Sequence, residues 1–279
     1  MERRFLKIII FTGLLITSCQ QIPINESNKK FVGDNIDKQN LEIDLKKQEK
    51  IISYHSDIWS YILTNSSYTS DGLDEQTLMY MNRHLQDLDK FKEFLNDSYY
   101  FIFFVIEELE NAKLPIELAF LPYIESNYDP FSISSSGAVG MWQFMPRTGR
   151  TYDLERSWWN EDRHDPFKST SAAIKYLKYL YERFDQDLYL TLAAYNAGPS
   201  FLDRQIKRNQ RRGLNTDYWS LDLPIQTRNY VPKFIAIKEL IINSDQYDIE
   251  LPFIPYEPVV AKIEIPGQVE ILTLSEYLN

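Results

Sequence analysis

The chain has 279 residues, of which 44% are apolar and 14% aromatic, enough to bury a sizeable core and to exclude disorder over the whole chain. Its formal net charge of −10 argues against nucleic acid as a partner, because binding DNA or RNA requires concentrated positive charge. The single cysteine excludes an intrachain disulfide.

The N-terminus has the pattern of a secretory signal. Positive side chains at Arg3, Arg4 and Lys7 precede an apolar run over residues 8–16, which is too short to span a bilayer. The stretch "ITSC", ending at Cys19, resembles a bacterial lipobox, in which the chain is cut before the cysteine and the cysteine carries lipid. We therefore predict a lipoprotein signal peptide over residues 1–18 and lipid attachment at Cys19. The alternative is an ordinary signal peptide with a chance cysteine.

Removal of residues 1–18 takes away three basic side chains and one acidic one, which changes the net charge from −10 to −12. Anionic lipid repels so acidic a chain, so we expect the lipid on Cys19 to hold it at a membrane. The predicted location is the bacterial periplasm, at the outer membrane rather than the inner. Residues 19–50 are polar and charged and are predicted to form a tether.

Helical spacing of apolar residues begins at about residue 53. Residues 74–98 predict one helix with Asp74 as its N-cap, and residues 99–112 predict a second, more buried helix. Residues 114–126 predict a third helix, in which Pro122 introduces a bend.

The second half of the chain continues this pattern. Residues 169–184 predict a helix capped by Ser169 or Thr170, and residues 188–198 predict a short apolar helix ended by Gly198. The last clear helix covers residues 228–243. Residues 250–279 are dotted with proline and rich in β-forming residues. The sequence thus predicts a mainly α fold with a short β-rich C-terminal tail.

Four short motifs follow one another in the second half of the chain. They are "ES" at Glu125, "GMWQ" at residues 140–143, "AYN" at residues 194–196 and "QTRNYVPK" at residues 226–233. In this order they resemble the family 1 lytic transglycosylases, glycoside hydrolase family 23. The resemblance covers roughly residues 70–250 and implies a goose-lysozyme-like helical domain. We place that catalytic domain at residues 51–249, with the motif core at about 110–240.

The chemistry of the first motif can be argued from the residue itself. Breaking a glycosidic bond requires a proton donor to the leaving oxygen, and a glutamate serves only if burial raises its pKa toward neutrality. Glu125 ends an apolar stretch and has Tyr123, Tyr128 and Trp142 as candidate neighbours. We predict that it is the catalytic acid. The alternative for a single glutamate is a solvated surface acid.

The resemblance implies the reaction. The substrate would be peptidoglycan, cut at the β-1,4 bond between N-acetylmuramic acid (MurNAc) and N-acetylglucosamine (GlcNAc). One glutamate would act first as acid and then as base toward the C6 hydroxyl, closing a 1,6-anhydro ring. Asp129 is expected to be a helix-end or turn residue, or alternatively a supporting carboxylate. Two rival functions remain open: a muramidase that uses water, and a non-catalytic peptidoglycan-binding lipoprotein.

The resemblance also implies the substrate-binding residues of the glycine-rich loop. Gln143 would bond to sugar, and Met141 and Trp142 would present apolar faces to pyranose rings. The alternative for Trp142 is packing beneath the loop. Ser126 would bond to Glu125 or hold the helix end.

Three further residues come from the later motifs. Tyr195 would lie at the wall of the site, Asn196 near the substrate, and Tyr230 with its hydroxyl close to Glu125. Many family members have glutamate where this chain has Gln226, so the role of that position stays open.

Other patterns are weaker. The histidines at positions 55, 84 and 164 lack ligand spacing, so we expect no metal site, and no cofactor motif is present. A basic helical face is either simply solvated or in contact with the carboxylates of peptide stems; it comprises Arg204, Lys207, Arg208, Arg211 and Arg212.

Overall fold

The computed structural model describes residues 57–66 and 73–261. The predictions for the signal peptide, for Cys19, for the tether and for residues 262–279 of the tail lie outside these residues. Ten α-helices occur in the described part: α1 (Ile58–Asn65), α2 (Glu75–Leu85), α3 (Leu88–Asn96), α4 (Ile102–Ala112), α5 (Leu121–Glu125), α6 (Pro146–Thr151), α7 (Pro166–Arg183), α8 (Leu188–Ala197), α9 (Pro199–Arg211) and α10 (Ile225–Ile242). Four 3₁₀ turns lie between or after them: Ile116–Phe120, Asp162–His164, Tyr218–Ser220 and Ser244–Tyr247. Among these helices, none combines the length and the apolar character needed to cross a membrane.

Helix α10 is the centre of the core. It packs against α2, α8 and α5, while α4 packs against α7 on another side of the core. Most of its length is buried, including Tyr230 at 5% exposure and Phe234 at 0%. Because the helix is enclosed, a side chain on its first turns is held in a fixed place relative to α5 and α8.

A proline interrupts α10 without breaking it. Pro232 has no N–H, so the carbonyl of Arg228, four residues earlier, loses its helical partner. The hydroxyl of Tyr218 donates to that carbonyl at 2.8 Å and to the carbonyl of Thr227 at 3.2 Å. Tyr218 therefore satisfies the freed acceptor and keeps the turn that carries Tyr230 in place.

The helix predicted over residues 74–98 is two helices, and the single-helix prediction is wrong. The cap at its start is confirmed, because the Asp74 carboxylate accepts from the backbone N–H of Thr77 at 2.7 Å. A second cap follows at Asp87, whose carboxylate accepts from the N–H of Lys90 at 3.0 Å and starts α3. A capping aspartate inside a periodic stretch begins a new helix in another direction. Leu78, an apolar residue of this periodic stretch, is 44% exposed.

The cap predicted for α7 is also wrong. Asp165, and not Ser169 or Thr170, accepts from the first N–H groups, those of Phe167 and Lys168, both at 2.9 Å. Pro166 occupies the first helical position, which suits its missing N–H. Ser169 and Thr170 lie buried in the first turns of the helix. The predicted stop of α8 at Gly198 is confirmed.

The mainly helical prediction is confirmed, but the β-rich tail is not. In the described part of the tail, up to residue 261, the only pairing is an isolated bridge between Pro255 and Asp57. This segment covers α1 instead: the Ile58 N–H donates to the Ile254 carbonyl at 2.8 Å. The indole of Trp59 donates to the carbonyl of Pro252 at 2.6 Å. Prolines remove donors that a strand ladder needs, which favours such an extended coil.

Candidate active site

Glu125 lies at the end of a very short helix whose exit turns sharply. The helix predicted over residues 114–126 is a 3₁₀ turn followed by α5, whose first turn contains Pro122. The Pro122 carbonyl accepts from the N–H groups of Ser126 at 3.0 Å and Tyr128 at 3.2 Å. Asn127 and Tyr128 both adopt positive φ, at 59° and 60°, which reverses the chain. Glu125 is half-buried beside this reversal.

The glycine-rich loop is a compact hairpin beside this turn. Val139 and Phe144 exchange two backbone hydrogen bonds, both at 3.1 Å, and Gly140 and Gln143 close the turn between them. Gly140 has φ +80° and Gln143 has φ +47°, so both lie in the left-handed region. The loop carries its two central carbonyls, those of Met141 and Trp142, toward neighbouring helices.

Four hydrogen bonds join the four sequence motifs. The Tyr230 hydroxyl donates to Oε1 of Glu125. Two bonds hold the glycine-rich loop: Ser126 Oγ donates to the Met141 carbonyl at 2.8 Å, and the Tyr195 hydroxyl donates to the Trp142 carbonyl at 2.8 Å. In the fourth bond, Thr227 Oγ1 donates to Asn196 Oδ1 at 2.9 Å. Motifs as far apart as 105 positions in sequence thus meet in one connected group.

Burial sets the protonation of Glu125. Desolvation raises its pKa to about 7, against the lowering effects of the Tyr230 hydrogen bond and of the Lys233 ammonium. A carboxyl group with this pKa is populated in both protonation states near neutral pH. It is therefore suited to donate a proton and later to accept one.

Tyrosines surround the carboxyl group. Burial raises the pKa of both Tyr195 and Tyr230 well above the ordinary value, and the nearby Glu125 charge raises them further. These hydroxyls therefore stay protonated and act as hydrogen-bond donors. Tyr176 of α7, which was not predicted, contacts Tyr195 with ring centroids 5.3 Å apart and the rings tilted by 36°. Tyr123 and Tyr128, two of the aromatic neighbours predicted for Glu125, pack on each other with ring centroids 4.7 Å apart.

The predicted contact of Met141 and Trp142 side chains with sugar is wrong for the structure described here. Both side chains have 0% exposure, and the Trp142 indole donates to Thr170 Oγ1 at 2.9 Å inside the core. A buried ring hydrogen-bonded at its only polar atom has no face left for a pyranose ring. The alternative, that Trp142 packs beneath the loop, is the one observed.

The remaining predicted residues lie as follows. Gln143 donates its side-chain amide to the carbonyls of Gly140 at 2.8 Å and Ser132 at 3.3 Å. Ser126 holds the glycine-rich loop rather than Glu125. Asp129 is exposed, and its carboxylate accepts from the N–H of Phe131 at 2.8 Å, as expected of a turn residue.

Gln226 and the basic face of α9 lie on the surface. The five basic side chains of this face, at positions 204, 207, 208, 211 and 212, are exposed, and one of them, Arg208, pairs with Asp222 at 3.2 Å.

Sequence reasoning missed Arg163, a buried cation that clamps the glycine-rich loop. Its guanidinium donates to the carbonyls of Phe144 at 2.8 Å and Gly137 at 3.1 Å, on either side of the loop. The other edge of the guanidinium forms a two-point ion pair with Glu161, both contacts being 2.7 Å. The only available signal was a run of charges, "EDRHD", which ordinarily marks a solvated turn.

Comparison with known proteins gives consistent matches. The transglycosylase SLT domain matches residues 104–217. Membrane-bound lytic murein transglycosylase D of Escherichia coli K12 is 32% identical over 232 residues, covering 81% of this chain and 50% of that protein. Membrane-bound lytic murein transglycosylase F of Alcanivorax borkumensis is 33% identical over 108 residues, covering 37% of this chain and 22% of that protein.

A solved structure of an inactive mutant of the lytic transglycosylase Slt from Pseudomonas aeruginosa aligns with a TM-score of 0.41 and 23% identity, over 56% of this chain and 25% of that one. The chain spans only half the length of the Escherichia coli relative. Within the matched SLT segment lie Glu125, the glycine-rich loop and the "AYN" motif, while Tyr230 follows it. The chain therefore contains a transglycosylase SLT domain over residues 104–217.

Proposed function

We propose that this protein is a peptidoglycan lytic transglycosylase with a goose-lysozyme-like catalytic domain over residues 51–249. It cuts the β-1,4 bond between MurNAc and GlcNAc and leaves a 1,6-anhydro-MurNAc end. The observation that carries the proposal is Glu125: its pKa is raised to about 7, and it is held by Tyr230 where the four motifs meet. The names of the relatives support the same substrate class.

Glu125 acts in both halves of this reaction. Tyr230 occupies Oε1, so Oε2 is the oxygen that delivers the proton to the leaving glycosidic oxygen. The resulting carboxylate then removes the proton from the C6 hydroxyl of the same muramic acid, and that oxygen attacks C1. Because the attacking group belongs to the substrate, its effective concentration is high and no second carboxylate is needed.

The neighbouring residues position glycan and loop. Both hydrogen bonds of Gln143 use its nitrogen, so its side-chain oxygen is the atom offered to a sugar hydroxyl. The Asn196 oxygen accepts from Thr227, which leaves its amide nitrogen as the donor toward substrate. Ser126 and Tyr195 bind the carbonyls of the loop, and Met141 and Trp142 support it from below.

The muramidase alternative requires a carboxylate that positions a water molecule. Asp129 is the nearest candidate in sequence, and it is exposed and engaged in its own turn. The geometry therefore favours the intramolecular route. Digestion of purified sacculi, followed by mass spectrometry of the soluble products, tests the proposed function: release of anhydro products supports it, and absence of release favours a binding protein.

We expect the pH profile to follow the protonation of Glu125. The value of kcat/KM falls above pH about 7, by about tenfold per pH unit, because only the protonated carboxyl can start cleavage. The exposed Lys233 lowers this pKa, so Lys233→Met moves the falling limb to higher pH. Initial rates of sacculus digestion across pH check both points. A limb unmoved by Lys233→Met, or one centred near pH about 4, would contradict the assignment.

A lipid on Cys19 is proposed to hold the protein in the periplasm, at the outer membrane. We expect Cys19→Ala to release the protein into the soluble periplasmic fraction, because the acidic remainder has no attraction for anionic lipid. Metabolic labelling with a palmitate analogue, followed by fractionation, measures the change. Label retained by the alanine variant would show that lipid is attached elsewhere.

A further inference from the structure

Two adjacent tryptophans are exposed on a turn next to the glycine-rich loop. Trp158 is 82% exposed and Trp159 is 64% exposed. A pair of large apolar side chains so fully exposed to water is uncommon unless it meets a partner. We define residues 155–162 as the tryptophan turn.

The tryptophan turn is closely braced. Backbone pairing between Arg156 and Glu161 closes it, and the Ser157 N–H donates to the Asn160 carbonyl at 2.8 Å. The Ser157 hydroxyl accepts from the N–H groups of Trp159 at 3.1 Å and Asn160 at 3.0 Å. At its base the Asp162 carboxylate accepts from the N–H of Glu155 at 3.0 Å. Two rings on a braced turn lose little freedom when they bind.

The turn is attached to the proposed active site through Arg163. Its guanidinium joins Glu161 of the turn to the carbonyls of Phe144 and Gly137 in the glycine-rich loop. His164 follows Arg163 in the chain. Its ring centroid lies 6.1 Å from that of Phe131, which is a third exposed aromatic side chain. Exposed rings are therefore anchored to the same element that carries Gln143.

Charge decides between two partners for these rings. Residues 153–163, together with Lys168, which pairs with Asp162, carry four acidic and three basic side chains, a net charge of −1 that gives no attraction to an anionic lipid surface. A sugar backbone has no charge to repel, and the C–H face of a pyranose ring packs on an indole. The turn therefore fits a glycan strand better than a membrane.

We propose that the tryptophan turn is a second glycan-binding site, which takes sugar rings of the strand away from the bond being cut. This inference rests on the proposed function, since it assumes that the strand lies along the glycine-rich loop. The turn extends the contact with the strand and keeps it in register with Glu125 through the rigid Arg163 connection.

Binding of glycan strands from which the peptide stems have been removed tests this proposal. The full chain carries Cys19→Ala, so that lipid cannot drive association, and Glu125→Gln, so that the strand is not consumed. Trp158→Ala together with Trp159→Ala is compared with Trp219→Ala, a matched control at a tryptophan that is 50% exposed elsewhere on the surface. We expect the double variant to weaken glycan binding by about tenfold, while the control leaves it unchanged.

Tryptophan fluorescence gives an independent reading. Trp59 and Trp142 are buried, so a blue shift on adding glycan reports the exposed rings, and it disappears only in the double variant. Unchanged glycan binding by the double variant, while the protein with Glu125 intact still cleaves sacculi, overturns this inference alone. If the protein neither cleaves nor binds glycan, both proposals fail. If the double variant no longer binds vesicles of anionic and zwitterionic lipid but still binds glycan, the turn contacts a membrane, and the proposal is also overturned.

Discussion

Replacing Glu125 with glutamine is expected to lower the rate of sacculus digestion by at least about 10³-fold, because the same carboxyl donates and then accepts the reacting proton. Glutamine keeps the shape and still receives the Tyr230 hydrogen bond. The loss is therefore chemical rather than structural. Soluble product formed per unit time from purified sacculi is the measurement.

The fold of this variant should be intact or strengthened. Between pH 4.5 and about 7 the native wild-type chain binds more protons at Glu125 than the unfolded chain, so its stability falls as pH rises through this window. Glutamine has no charge to bury, so the melting temperature of the Glu125→Gln protein should match or exceed that of wild type at pH 8. Asp129→Asn is the matched control, since this exposed carboxylate should be dispensable. A folded Glu125→Gln protein with wild-type turnover would remove Glu125 from the mechanism.

The Gly140→Ala substitution is expected to be the most damaging single-methyl change in the site, with a loss of about 4 kcal/mol in unfolding free energy or failure to fold. A Cβ atom at this position would lie 1.9 Å from the backbone oxygen of Arg163, and φ is +80°. Backbone cannot move aside as a side chain can. Urea unfolding followed by circular dichroism measures the cost.

Gly137→Ala is the control for this prediction. Gly137 has nearly the same φ, +85°, but a Cβ atom there would meet nothing within 4 Å. Its alanine variant should lose only about 1–2 kcal/mol, the cost of left-handed backbone alone. Equal losses of unfolding free energy at the two glycines would show that the backbone oxygen of Arg163 does not lie against Gly140 as described.

The sequence predicted the helices well where periodicity and caps agreed. The α4 stretch and the stop at Gly198 both depend on local chemistry, which a sequence displays directly. The division between α2 and α3 was missed because the apolar spacing continues through Asp87. Only the cap geometry there shows that a new helix begins.

One contact of the candidate site was predicted from the sequence, and other features of the site were not. Motif resemblance brought Glu125 and Tyr230 together correctly, although 105 positions separate them. It could not distinguish a Trp142 ring that faces solvent from one packed beneath the loop, because residue type is the same in both cases. Arg163 was missed since its partners in the glycine-rich loop are backbone carbonyls, which leave no signature in side-chain identity.

Digestion of sacculi in oxygen-18 water tests most directly whether Glu125 alone drives an intramolecular reaction. Hydrolysis would place heavy oxygen at C1 of the released muramic acid, whereas attack by the C6 hydroxyl incorporates none. We predict unlabelled anhydro products, each lighter by one water than the corresponding hydrolysis product. Mainly labelled products with reducing ends would contradict the transglycosylase mechanism and show that a water molecule, positioned by a second group, reaches C1.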